Sequence, residues 1–150
     1  MGMLTIYDWG LPNQTAYLNN YNNNVPLYNA ARSLWNSLDS ASMYLFVTAI
    51  FVAVLSACYY YYGYNKLPGR KYRIRHWVIW LVITAVATIL ATILLGNAMV
   101  SSTLNEKFEF ILRISLINGL YASLIYFIAS LIICNLPVST NAYRFLKLGK

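Results

Sequence analysis

Three long stretches of the sequence contain no charged residue, and this feature constrains the fold more than any other. They cover residues 40–65, 76–105 and 114–143. An α-helix needs about 20 mainly apolar residues to cross the roughly 30 Å hydrocarbon core of a bilayer. Each stretch contains such a run. The sequence therefore predicts three membrane-spanning helices, at about residues 41–62, 77–100 and 110–136.

The composition favours lipid over water as the surrounding medium. Of the 150 residues, 59% are hydrophobic and only 10% are charged, whereas a soluble domain carries about 25% charged residues. The mean hydropathy is +0.52. Spanning β-strands would alternate between apolar and polar positions, but the three runs are apolar on all sides. The predicted fold class is all-α: an integral membrane protein with a bundle of three transmembrane helices over residues 41–136.

The N-terminal segment, residues 1–40, contains an apolar pattern with helical spacing. The pattern consists of Leu27, Ala31, Leu34 and Leu38. Pro26 suits a first helical turn, so we expect an amphipathic helix over about residues 26–39. It would lie on the membrane surface or over the mouth of the bundle, or else pack against neighbouring loops. Asp39 or Ser40 is expected to cap the first span.

Basic residues concentrate in the loop between the first two spans and in the tail at residues 137–150. They include Lys66, Arg70, Lys71, Arg73, Arg75, Arg144 and Lys147. The positive-inside rule predicts that both segments lie in the cytoplasm and that the N-terminus lies outside. The same side chains are expected to attract anionic lipid headgroups. The expected location is therefore the inner, cytoplasmic membrane, crossed several times.

Aromatic residues gather near the predicted ends of the spans. Tyr59, Tyr60, Tyr61 and Tyr62 end the first span, and Trp77 opens the second. Tyr and Trp combine an apolar ring with a polar atom, which suits the boundary between lipid and water. We interpret them as an interfacial belt.

Small and polar residues form a stripe along each of the second and third spans. One stripe is Thr84, Thr88, Thr92 and Gly96, and the other is Ser115, Asn118, Gly119 and Ser123. Residues spaced in this way share a helix face and allow close helix approach in lipid. We expect helix contacts within one chain, with hydroxyl bonds across them, or the lining of a pore formed by several copies. Asn118 must find a hydrogen-bond partner.

Few residues in this sequence suit catalysis or metal binding. There is one histidine, His76, and no acidic residue inside any span. A lone histidine without cysteine or carboxylate neighbours does not make a metal site. We therefore predict neither an enzyme nor a cofactor, and the basic residues show no spacing typical of a nucleic-acid module. Arg113, near the start of the third span, is expected to pair with Glu109 one turn earlier.

Two hypotheses for function remain from the sequence. The first, which the sequence favours, is a homo-oligomer that permeabilises the membrane or conducts ions through a pore lined by the small and polar stripes. The second is a structural or anchoring subunit of a larger membrane complex or a lipid-containing virion. The expected partners are the bilayer and either further copies or other membrane subunits. A transporter is a weaker third hypothesis because no internal repeat is visible.

Overall fold

A computed structural model describes residues 3–64, 74–136 and 146. All regular elements in these residues are helices, which confirms the all-α prediction. The elements in chain order are a 3₁₀ helix at Met3–Tyr7, α1 at Gln14–Asn19, α2 at Val25–Cys58, a π-helical turn at Tyr59–Gly63, α3 at Ile74–Met99 and α4 at Lys107–Asn135.

Three of these helices are long and apolar enough to cross a membrane, as the uncharged stretches predict. The α3 and α4 helices match the predicted spans within a few residues. The first candidate span, α2 with the π-helical turn, is 39 residues long. At 1.5 Å per residue this helix measures about 58 Å, roughly twice the hydrocarbon thickness. It therefore extends well beyond any single crossing.

The long α2 helix begins at Val25, fourteen residues before Asp39 and fifteen before Ser40, the two predicted capping residues. The Oδ1 atom of Asn24 accepts a hydrogen bond of 3.3 Å from the Leu27 amide, so Asn24 stabilises the first turn. Pro26 lies in that turn, as predicted. The cap prediction was wrong because nothing interrupts the helix near residue 40: the Ser40 hydroxyl donates to the Asn36 carbonyl inside the same helix.

The chain divides into two compact units, and each of the three long helices contributes residues to both. We call the first the cap unit; it comprises the described residues within Met1–Thr48 and Ile89–Asn118. The second, the tyrosine unit, comprises the described residues within Ala49–Thr88 and Gly119–Lys150. The N-terminal segment and the first part of α2 thus belong to a folded unit with parts of α3 and α4.

The core of the cap unit uses the apolar face predicted for residues 26–39. Ala31, Leu34 and Leu38 are fully buried, whereas Leu27 is 42% exposed. Trp35, beside this face, packs with Phe110 at a ring-centroid distance of 6.2 Å. This helical face therefore packs within the chain, and the partner of Trp35 lies on α4 and not in a neighbouring loop.

The core of the tyrosine unit combines small residues with large aromatic rings. Its buried members are Ala53, Ala57, Tyr60, Tyr61, Trp77, Ala122, Tyr126, Ile133 and Cys134. The belt interpretation was therefore wrong for Tyr60, Tyr61 and Trp77, which are buried inside the protein. Both tyrosines lie in the π-helical turn that continues α2, and they are buried in this cluster together with Trp77 and Tyr126.

Candidate functional site

Asn118 is the polar centre of the cap unit and is fully buried. Its Oδ1 accepts a hydrogen bond of 2.8 Å from the Tyr7 hydroxyl. Its Nδ2 donates to the Leu45 carbonyl at 3.1 Å and to the Thr92 hydroxyl at 3.3 Å. One side chain on α4 therefore joins the 3₁₀ helix, α2 and α3. The expectation that Asn118 finds a partner is confirmed, and the partners lie in the same chain.

The Tyr7 partner is the part of this centre that sequence reasoning missed. Tyr7 and Asn118 are 111 positions apart, and no periodic pattern in the first twenty-five residues indicates that Tyr7 is buried. The only signal was the density of apolar rings in a segment that otherwise looks like low-complexity sequence. Burial of Tyr7 at 0% exposure and its bond to Asn118 fix the 3₁₀ helix on the unit.

A second polar contact attaches the following part of the N-terminal segment. The Glu106 carboxylate accepts a 2.8 Å hydrogen bond from the Tyr17 hydroxyl and a second bond from the Tyr21 hydroxyl. Burial, together with Glu106, raises the pKa of the Tyr17 phenol above its ordinary value. The bond to Glu106 is the main cause that raises the pKa of the Tyr21 phenol. Both effects favour the protonated, donating phenol.

Carboxylates line two open cavities in the cap unit. Asp8 and Asp39 line a cavity of about 530 Å³ together with Trp35. Asp39 also accepts a 3.2 Å bond from the Leu4 amide, which orients its carboxylate. Glu106 and Glu109 line a second cavity of about 350 Å³. All four acidic residues of a chain with net charge +7 thus lie in this unit.

The predicted threonine stripe on α3 is buried along its whole length. Thr84, Thr88 and Thr92 are each 0% exposed, and Gly96 is buried as well. A Cβ atom added to Gly96 would lie 2.9 Å from the Ile111 Cγ2 atom, so α3 and α4 approach closely at this glycine. The stripe therefore faces protein within a single chain.

The second stripe, on α4, is also turned inward. Ser115, Asn118 and Gly119 are buried, and Ser123 is half-buried. The Ser115 hydroxyl donates to the Leu112 carbonyl and that of Ser123 to the Gly119 carbonyl.

The expectation that hydroxyl bonds cross between helices was wrong for four side chains. Thr84 and Thr88 bond the carbonyls of Trp80 and Thr84, four residues earlier in α3, each at 2.8 Å. Ser115 and Ser123 likewise bond carbonyls of their own helix. The preceding turn offers the nearest acceptor to a serine or threonine hydroxyl in a helix. Of the stripe hydroxyls, that of Thr92 bonds across helices, by accepting from Asn118.

Three of the charged side chains discussed from the sequence are exposed: Arg75, Glu109 and Arg113. Arg113 pairs with Glu109 at 2.6 Å, as predicted, with side-chain exposures of 48% and 59%. Arg75 is exposed. The other basic residues assigned to orientation or lipid contact lie outside the described residues: Lys66, Arg70, Lys71, Arg73, Arg144 and Lys147.

The histidine, cysteine and acidic side chains of the described residues lie apart from one another or in small groups. Within 3–64, 74–136 and 146, no three His, Cys, Asp or Glu side chains group as a metal site would require. Cys58 is half-buried and Cys134 is buried, and neither forms a disulfide. No family model matches the chain, and neither a curated protein nor a solved structure matches it.

Proposed function

We propose that this chain is a multi-pass membrane protein that acts as a structural or anchoring subunit of a larger membrane assembly. In this proposal α2, α3 and α4 cross the inner membrane, and the cap unit presents the folded N-terminal segment at the outer face. The C-terminal tail lies in the cytoplasm. The partners are lipid and other membrane polypeptides.

The observation that carries this proposal is the direction in which the long helices turn their polar side chains. The threonine and serine stripes are inward and hydrogen-bonded, whereas the outward positions are large and aliphatic. Examples are Leu90, Leu94, Leu120 and Leu124, with exposures of 56%, 72%, 62% and 59%. A surface of this kind suits lipid tails or apolar helices, because neither needs a hydrogen bond.

The cap unit supplies the directional contacts that an anchoring subunit needs. The two carboxylate-lined cavities bring carboxylate, amide and hydroxyl groups to the surface of the N-terminal segment. Polar groups that converge in a concavity provide specificity for a partner. In this proposal the cap unit recognises the partner polypeptides, and the long helices attach the chain to the membrane.

The competing proposal is the homo-oligomeric pore. It draws on the unbroken column of Thr84, Thr88 and Thr92, which would give water a row of hydroxyl groups. In that proposal the helices turn the column toward a shared axis and replace its contacts within the chain with contacts to water. The structural proposal needs no such rearrangement, and we prefer it for that reason.

Native mass and conductance distinguish the two proposals. The structural proposal predicts that detergent extraction from native membranes gives an assembly of fixed mass containing other polypeptides. It also predicts that the purified chain gives no discrete conductance in planar bilayers. A ring of identical copies whose conductance changes in Thr88→Val, but not in the outward-facing control Leu90→Val, would overturn it in favour of the pore.

A further inference from the structure

The core of the tyrosine unit contains several polar atoms in a place that is otherwise apolar. Tyr61, Tyr126 and Ser130 are each 0% exposed, and Trp77 is 6% exposed. The Tyr61 hydroxyl lies beside Ser130 and Cys134, and the Tyr126 hydroxyl lies beside Tyr61 and Ser130. Side chains from the π-helical turn, α3 and α4 therefore converge on one small polar region.

Hydrogen bonding in this region is incomplete among the described residues. The Trp77 Nε1 donates to the Ser130 hydroxyl oxygen at 3.2 Å. The hydroxyl oxygens of Tyr61 and Tyr126 have no hydrogen-bond partner in the same residues. A buried hydroxyl without a partner costs free energy, since it loses its bonds to water and gains none in the protein.

The sequence could have avoided this cost with phenylalanine, which fills nearly the same volume. The chain uses phenylalanine at the buried position Phe110, where the ring packs against Trp35 at a centroid distance of 6.2 Å. Packing alone therefore does not require the hydroxyl groups of Tyr61 and Tyr126, which both approach Ser130. An occupant that accepts hydrogen bonds would explain both.

We propose that this region binds one internal water molecule. The water accepts a hydrogen bond from each of the Tyr61 and Tyr126 hydroxyls and donates one to the Ser130 oxygen. That oxygen has a second lone pair beside the one used by Trp77. Buried waters in proteins typically make about three bonds of this kind to groups that would otherwise lack partners.

The proposed water gives the π-helical turn a role in the core. Tyr61 lies in this turn and is buried, and the water connects it to α4 through Tyr126 and Ser130. Contacts bridged by an ordered water are nearly as favourable as direct hydrogen bonds. This inference does not depend on the proposed function and concerns the full chain in any membrane mimic.

Unfolding measurements on Tyr61→Phe, Tyr126→Phe and the double variant test the proposal. Each single variant leaves the water with one bond fewer, so the unfolding equilibrium constant of the full chain in detergent should rise about tenfold. In the double variant the unfolding constant should rise by less than the product of the two single-variant factors, because both substitutions act through one water. Tyr59→Phe and Tyr62→Phe are the controls, since these side chains are 56% and 42% exposed, and they should change the constant less than twofold.

Infrared spectroscopy provides the second readout. An O–H stretching band of the water should shift when the sample is exchanged into H₂¹⁸O, and it should be lost in the double variant but kept in Tyr59→Phe. An unfolding constant that is unchanged or lower in both single variants would overturn the proposal, because removing an unsatisfied hydroxyl from an empty site does not destabilise. The proposal would also be overturned if no isotope-sensitive O–H band depended on Tyr61 and Tyr126.

Discussion

The two units of this chain bury polar groups in different ways. In the cap unit, one amide, that of Asn118, makes three hydrogen bonds to partners from three other elements. In the tyrosine unit, aromatic packing dominates, and the buried hydroxyls of Tyr61 and Tyr126 lack protein partners among the described residues. The cap unit therefore depends on direct polar bonds between distant positions, whereas the tyrosine unit depends on ring contacts.

This difference shows what an apolar helix bundle needs for a specific structure. Apolar surface supplies little driving force between helices in lipid, so specificity must come from close packing and from buried polar bonds. The cap unit has both, at Gly96 and at Asn118. Substitutions at these positions should therefore affect the cap unit most.

The largest effect is expected for Asn118→Leu. The variant removes three hydrogen bonds and leaves the Tyr7 hydroxyl without its acceptor, so the free energy of unfolding should fall by about 2–4 kcal/mol. Asn97→Leu is the matched control, because its exposed side-chain amide bonds the Ile93 carbonyl of its own helix. The measurement is reversible unfolding in mixed detergent. Similar losses in both variants would contradict the central role of Asn118.

A smaller loss is expected for Gly96→Val. The added side chain meets Ile111 and forces α3 away from α4, which costs about 1–3 kcal/mol as overpacking. The same measurement applies. Ile111→Ala in the Gly96→Val background should recover part of the loss, because it removes the atoms that clash. If the losses of stability from Gly96→Val and Ile111→Ala simply added in the double variant, the contact between these two positions would not limit the packing.

Glu106→Gln should cost about 1 kcal/mol, since it replaces charge-assisted bonds from Tyr17 and Tyr21 with neutral ones. Glu109→Gln removes an exposed pair with Arg113 and should cost less than about 0.5 kcal/mol. Protease cleavage in residues 14–24 gives a local readout. Faster cleavage in Glu106→Gln alone is the expected result, and equal rates in the two variants would contradict it.

The smallest effect is a loss of stability at alkaline pH. The pKa of each of Tyr17 and Tyr21 is raised in the folded chain above the ordinary 10.0. Folding then retains phenol protons that the unfolded chain has lost above pH 10. The stabilisation is fully present below pH 10 and falls as the pH rises. The decline should be shallower in the double variant Tyr17→Phe, Tyr21→Phe, and an unchanged slope would contradict the role of Glu106.

The sequence predicted the helical class and three candidate spans because long uncharged runs leave few alternatives. It also predicted the Arg113–Glu109 pair, which follows from spacing on one helix. The continuous helix across Asp39 was missed because capping residues also occur inside helices when their side chains find other partners, as Asp39 does with the Leu4 amide. The local sequence alone does not distinguish a residue that caps a helix from the same residue inside a helix.

The interior of both units was harder to predict, because its contacts join positions far apart in the chain. Nothing near Tyr7 or Glu106 indicates that each bonds a residue more than 80 positions away. The four consecutive tyrosines suggested an interface, since each combines an apolar ring with a polar atom. Which of the four are buried depends on neighbours far away in the sequence, such as Trp77 and Tyr126.

The most direct test of the account is which side of the membrane each end of the chain occupies. In a Cys58→Ala, Cys134→Ala background, a single cysteine is placed at Asn22, which is exposed in the cap unit, or at Lys150. Spheroplasts are then treated with a membrane-impermeant maleimide. The account predicts that Asn22→Cys reacts in intact spheroplasts and that Lys150→Cys reacts only after permeabilisation. Reaction of both positions from the same side would contradict three membrane crossings.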